Sequence, residues 1–159
     1  MGKSLKDKIL KHLKSITENN LAQAKQAYES ALEHSRSEDM KSEGKYDTRA
    51  IEAGYLTSAK KQRLDQLKQE SQSFSKLTDS PCEKAILGAL VLLDCEGVET
   101  WYYLSCASGG EVLEIDSKKI HIITTTSPLG KEVLGLEPGD SFALENSQGV
   151  REFELVECL

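Results

Sequence analysis

No proline occurs before Pro81, and only Gly2, Gly44 and Gly54 of the 11 glycines precede residue 80. The first half therefore lacks the residues that punctuate short strands and tight turns. No run approaches the roughly 20 apolar residues that a membrane-spanning helix needs. The opening residues, MGKSLKDKIL, are charged throughout and lack the apolar stretch of a signal peptide. Gly2 follows Met1, but Lys6 stands where a myristoylation signal has Ser or Thr. A cytoplasmic chain with no membrane partner is expected. Cys82, Cys95, Cys106 and Cys158 form no C-x-x-C pair, and no histidine stands at metal-ligand spacing from them. Free thiols fit a cytosolic chain better than disulfides or zinc. His12, His34 and His121 are scattered singly, which favours surface or satisfied imidazoles over a catalytic base. Aromatic residues are few, at 6%.

The residues that are present divide the chain in two. Residues 1–79 hold 15 Lys/Arg against 12 Asp/Glu, a net of +3, while residues 80–159 hold 5 against 14, a net of −9. Pro81, Pro128, Pro138 and the other eight glycines all fall in the second half. Such asymmetry implies two modules with different partners. Mean hydropathy is −0.43, low for one compact domain, so part of the chain is expected to stay solvated on most sides.

The first module, residues 1–76, reads as two helices. Leu5, Ile9, Leu13, Ile16, Leu21, Ala24, Tyr28 and Ala31 recur at helical steps, as do Ile51, Tyr55, Ala59, Leu64, Leu67, Ser71 and Phe74. Each apolar stripe is narrow, which fits a two-stranded coiled coil. A short break, placed at 37–46, makes the pair antiparallel. Helices of roughly 30 residues give a rod about 45 Å long. Across the break, HSRSEDMKSEGKYDTRA (His34 to Ala50) carries Glu38, Asp39, Glu43 and Asp47 just after Glu33. Taken alone, such an acidic connection is a solvated turn.

The second module, residues 81–159, reads as strands. AILGALVLLDCE, ETWYYLSCA, GEVLEI, KIHIITTT, DSFALEN and VREFELVEC are β-rich, with glycines between them. A short helix interrupts, with Ser127 as its cap, Pro128 in its first turn and Gly135 ending it. SFSKLTDSPC is the expected linker. The fold class is α+β: an antiparallel helical hairpin followed by a small antiparallel β domain.

The stretch TSPLGKEVLGLEPGDSFAL, with GVREFELVE after it, resembles the C-terminal domain of the Gre (GreA/GreB) transcript-cleavage factors. There a Ser-Pro-apolar segment opens a short helix, and Gly-x-x-x-Gly-Asp follows. Those positions here are Ser127, Pro128, Leu129, Gly135, Gly139 and Asp140, and the resemblance implies that they bind polymerase. EDMKSEGKYD resembles the acidic tip of the family's hairpin, and the likeness spans nearly the whole chain.

The resemblance implies an FKBP-like β domain and an accessory factor, not an enzyme. It would bind bacterial RNA polymerase one-to-one as a monomer and insert the hairpin into the secondary channel. There it would stimulate cleavage of backtracked RNA by the polymerase itself. The tip carboxylates, Asp39 and Glu43, would be the catalytic ligands of a Mg²⁺ shared with the polymerase active site, with no cofactor held stably by the chain alone. Lys41, Lys45 and Arg49 would lie near the RNA 3′ end.

The sequence departs from the family pattern at the tip. Aligned on Tyr46, Asp39 falls on the family's Asp, but Ser42 falls on its Glu. Glu43 lies four residues from Asp39 rather than three. On a helical turn both spacings share a face, whereas in an extended tip they do not. Glu38, adjacent to Asp39, would point about 100° away on a helix. A second reading follows, a channel-binding regulator that does not promote cleavage. A peptidyl-prolyl isomerase needs an aromatic-lined pocket. Trp101, Tyr102, Tyr103, Phe142 and Phe153, three of them consecutive, make a poor one. A plain coiled-coil adaptor leaves the second-half motif unexplained.

Overall fold

The computed structural model describes the backbone of residues 2–41 and 48–159, and the side chains of 5–37 and 48–159. Helices α1 (Gly2–Lys41) and α2 (Thr48–Ser75) come first. Strands β1 (Leu90–Cys95), β2 (Val98–Ser105), β3 (Val112–Ile115) and β4 (Lys118–Thr124) follow, then α3 (Pro128–Val133), β5 (Ser141–Asn146) and β6 (Gly149–Cys158). The chain divides into two compact units, Met1–Leu13 with Ser73–Leu159, and Lys14–Gln72.

The larger unit is a six-stranded sheet in the order β3-β4-β2-β1-β6-β5. Five strand pairs hold it together. Four are antiparallel and only β2 and β4 run parallel, so the sheet is mixed and, as the sequence implied, mostly antiparallel. The parallel pair arises because β3 takes the edge and returns the chain through β4 beside β2. All six expected strands are present. The first starts at Leu90 rather than Ala85, because Gly88 turns the chain at φ +91 and the ladder begins only beyond it.

β1 explains its own composition. Residues Leu90 to Leu93 are all buried, since both faces of the sheet are covered there. Leu90, Tyr103, Leu113, Ile120 and Ile122 form one cluster with Leu5, Ile9, Leu10, Leu13 and Phe74 from the helices. On the other face Val91, Leu93, Leu104, Phe153 and Leu155 pack with Ala85, Ala89 and Val133. A continuous apolar run is what a strand buried on both faces requires. Glu96 and Gly97 close the β1–β2 hairpin with φ of 55° and 85°, as a two-residue turn demands. Asp94 Oδ1 accepts from Gly97 N at 2.8 Å and pins that turn.

The boundary between the units corrects two expectations. Residues 5–13 belong with the sheet rather than with the hairpin, because their apolar side chains are buried in its first cluster. The segment from Ser73 is not a free linker at its start. α2 continues to Ser75, and Phe74 is wholly buried.

The smaller unit is a helix pair. Thr57 Oγ1, on α2, lies 3.0 Å from Ala31 O on α1. A groove is lined by Leu21, Lys25 and Tyr28 of α1 with Leu64 and Lys68 of α2, and another by His34 with Arg49, Ala53 and Leu56. As the residue number rises along α1 it falls along α2, so the helices are antiparallel. Of the expected stripes, Ala31 on α1 and Leu64 and Leu67 on α2 are buried, but Thr17 is enclosed more fully than Ile16, and the first turns of α2 depart further. Ile51 and Tyr55 are exposed, Tyr55 by 73%, while Ala53 is buried and Thr57 turns toward α1. Two buried alanines, Ala31 and Ala53, let the backbones approach, and the Thr57 hydroxyl then reaches a carbonyl on each helix. The larger Ile51 and Tyr55 fall on the next stripe round.

Candidate functional site

The acidic connection begins on a helix. α1 continues to Lys41, so the backbones of Asp39 and Lys41 are helical, inside the 37–46 stretch within which the turn was expected. The side chains of Glu38, Asp39 and Lys41 lie outside the described residues, as do Ser42, Glu43 and Lys45 altogether. Arg49 stands exposed in the first turn of α2, beside His34, Glu52, Ala53 and Leu56. Among the described residues no group of three or more His, Cys, Asp or Glu could hold a metal. The tip offers carboxylate oxygens, which are the donors Mg²⁺ prefers. Because that ion keeps several waters, one or two carboxylates suffice.

The second set of expected residues comes together at α3 and the turn into β5. Ser127 is the N-cap: its Oγ donates to Thr124 O at 2.7 Å and accepts from Gly130 N at 3.1 Å. Pro128 opens the helix, where its missing N–H costs nothing. Leu129 is half-buried against the cluster around Val133. Gly135, at φ +87, donates to Ala85 O at 2.7 Å, and Leu136 O accepts from Ala85 N at 2.8 Å. Gly139, at φ +97, donates to Leu155 O at 2.8 Å. Asp140 Oδ2 accepts from Glu137 N at 2.8 Å, and Asp140 O accepts from Leu155 N at 2.9 Å. Ser127, Gly135, Gly139 and Asp140 therefore build one rigid segment. Its exposed residues include the apolar Pro128 and Leu134 beside the charged Lys131, Glu132 and Glu137.

Gly130 was missed by the motif reading. A Cβ there would lie 1.9 Å from Thr124 O and 2.9 Å from Ser127 Oγ, so the cap itself demands glycine. The signal was present in the sequence, three residues after Ser127, but glycine inside a helix is usually a weakness rather than a requirement. The Lys84–Glu137 ion pair at 3.0 Å, between exposed side chains, was also not legible.

Burial shapes the titrating groups. It pushes the Tyr103 phenol well above its ordinary range, and with it the Cys158 thiol, up to about 11. Among the described residues no helix is long and apolar enough to cross a membrane.

No protein-family model and no curated protein matches the chain. Among solved structures it is similar to the transcription factor Gfh1, at 24% identity and a TM-score of 0.41, over 91% of this chain and 92% of that one. It is also similar to GreA factor homolog 1 (Gfh1) of Thermus thermophilus, at 23% identity and a TM-score of 0.38, over 92% and 94% of the two chains. A prokaryotic transcription elongation factor GreA/GreB from Nitrosomonas europaea is similar at 17% identity and a TM-score of 0.38, over 58% of this chain and 77% of that one.

Proposed function

We propose that the chain is a Gre-type factor that binds bacterial RNA polymerase and reaches into its secondary channel with the helical hairpin. The observation that carries this reading is the antiparallel pair itself. A slender helix pair, joined through a segment bearing Glu38, Asp39, Glu43 and Asp47, can carry carboxylates into a passage too narrow for a globular domain. Twenty-eight residues of α1, from 14 to 41, give about 42 Å of reach. The segment from Ser127 to Asp140 is the proposed polymerase-binding face, with Pro128, Leu129 and Leu134 as its apolar part.

Asp39 and Glu43 are the proposed ligands of a Mg²⁺ that the polymerase active site shares. Bound there, the metal would lower the pKa of an attacking water and stabilise the leaving oxygen of the phosphodiester. The chain's own part is positional: it holds Asp39 at the end of a stiff helix and sets Lys41, Lys45 and Arg49 as cations near the RNA 3′ end. It is an accessory factor, with the bond cleaved by the polymerase.

One observation favours a second reading, occupancy of the channel without cleavage: Ser42 stands where the family pattern has its Glu. The experiment is RNA cleavage in stalled, backtracked complexes over a Mg²⁺ titration. Wild type should stimulate cleavage, and Asp39→Asn should lower the rate roughly a hundredfold, equivalent to about 2.7 kcal/mol, with polymerase binding unchanged. If wild type slows transcription without cleaving, the second reading replaces the first, and Ser42→Glu should then gain activity. If wild type and Asp39→Asn cleave equally well, the ligand role is wrong.

A further inference from the structure

Strand β5 is an edge of the sheet and pairs with β6 on one side only. Leu155 N donates to Asp140 O at 2.9 Å, so the alternation of the ladder turns the N–H and C=O of Ser141, Ala143 and Glu145 away from β6. No described residue bonds to them. Open edges are usually blunted by proline, lysine or a bulge. β5, with the sequence SFALEN and an unbroken register, has none of these. The opposite edge, β3, is only four residues long, with Glu114 facing Lys119 and the Lys8–Asp116 ion pair next to its end.

The two faces beside the β5 edge differ. Register puts Ser141, Ala143 and Glu145 on one face, opposite Glu154, Glu152 and Val150 of β6. Asp94 continues the row from Glu154, and Glu99 continues it from Asp94. Glu99, Glu145, Glu152 and Glu154 are exposed and Asp94 is half-buried, and none of the five has an ion-pair partner among the described residues. Like charges directly opposite one another repel, and cations from outside relieve that repulsion. A groove of about 520 Å³ lies on this face, with Ser141, Ala143, Glu152 and Glu154 in its lining beside Asp94 and Glu96. On the other face Phe142 and Leu144 are half-buried apolar side chains.

We infer that the β5 edge receives an extended segment of another protein, with alternating basic and apolar side chains, as one more strand of the sheet. The outward N–H and C=O groups supply the main-chain bonds, and the alternation supplies specificity. The basic side chains meet Glu145, Glu152 and Glu154, while the apolar ones lie beside Phe142 and Leu144. A second copy of this chain fits badly, since pairing β5 with itself brings these carboxylates against their like. The inference concerns the sheet unit and is independent of the polymerase reading.

The test uses the full chain and a short peptide in which lysine and valine alternate. Controls are a glutamate–valine alternating peptide and a peptide with the same lysines and valines in two blocks. Only the alternating lysine peptide should bind, and added salt should weaken it. On binding, amide exchange should slow at Ser141, Ala143 and Glu145 and stay unchanged along β3. Ala143→Pro removes an outward N–H at an edge, where proline is tolerated, so it should abolish binding while the urea midpoint barely moves. Glu145→Gln, Glu152→Gln and Glu154→Gln combined should weaken binding about tenfold. No binding, equal binding of all three peptides, unchanged binding by Ala143→Pro, or protection along β3 overturns the proposal. So does slowed exchange at the β5 edge when the chain alone is concentrated, which makes a second copy the occupant. If Ala143→Pro does not fold, the exchange map and the peptide series on wild type still decide.

Discussion

The sheet unit and the hairpin unit share a helix but hold it by different means. In the sheet unit the first turns of α1 and the last turn of α2 are wrapped in apolar side chains, with Ile9, Leu13 and Phe74 fully enclosed. In the hairpin unit the described seam between the same two helices is narrow, resting on Ala31, Ala53, Thr57, Leu64 and Leu67. Burying a side chain of leucine size is worth roughly 1.5–3 kcal/mol, so stability concentrates where those side chains do. A helix pair with little core has surface to spare for a partner. The difference teaches that one helix can be deeply packed at one end and lightly packed at the other.

Substitutions can break that contrast. The largest effect is expected at Phe74, where truncation to alanine should cost about 3–5 kcal/mol in denaturant unfolding. Ile9→Ala should cost about 2–5 kcal/mol and should report on the sheet unit, although its sequence context is that of the hairpin. If Ile9→Ala proves neutral, the assignment of residues 1–13 is wrong.

Gly130→Ala comes next. With Thr124 O in the way, the cap or α3 must shift, at about 1–3 kcal/mol. The loss should appear in the same unfolding experiment and should be matched by the loss of slowly exchanging amides in α3.

An alkaline effect follows from burial. The folded thiol of Cys158 sits near 11 and the Tyr103 phenol higher still, both above their ordinary values of 9.0 and 10.0. Folding favours their neutral forms, so this contribution is complete below about pH 9 and is lost as pH rises toward 11 and beyond. The urea midpoint should therefore fall between about pH 8 and about pH 11, and Cys158→Ala should flatten the first part of the decline. A midpoint constant across that range would contradict the burial of both groups.

The smallest effect belongs to the hairpin's outer stripe. Ile51→Ala and Tyr55→Ala should change stability by less than about 0.5 kcal/mol, because both side chains face solvent. A cost of two or more kcal/mol at either would restore the sequence-based seam.

Much of the fold was legible because periodicity and punctuation agreed. All six strands, the Ser127 cap and the two long helices could be read from spacing and from Gly and Pro alone. The first turns of the α2 seam were not, because hydrophobicity ranks Ile51 and Tyr55 above Ala53 and Thr57, while close helix approach selects small residues and a hydroxyl. The parallel β2–β4 pair was hidden because alternation reports which face a residue takes and not which way its neighbour runs. The burial of Lys6 was invisible because its polar partners are Ser80 and Cys82, over 70 residues away. Of the site, the cap and turn residues were identifiable by motif. The tip carboxylates were suggested by resemblance, since composition alone cannot separate a metal-binding turn from a solvated one.

The central claim is that the hairpin's end approaches the RNA 3′ end inside the polymerase, whichever consequence follows. It is tested most directly by placing a photo-reactive amino acid at position 45, and in separate chains at positions 68 and 131, and irradiating each with a backtracked complex carrying 3′-labelled RNA. The account predicts label transfer from position 45 and none from 68 or 131. Transfer from position 131, or from none of the three while the protein remains bound, would contradict it.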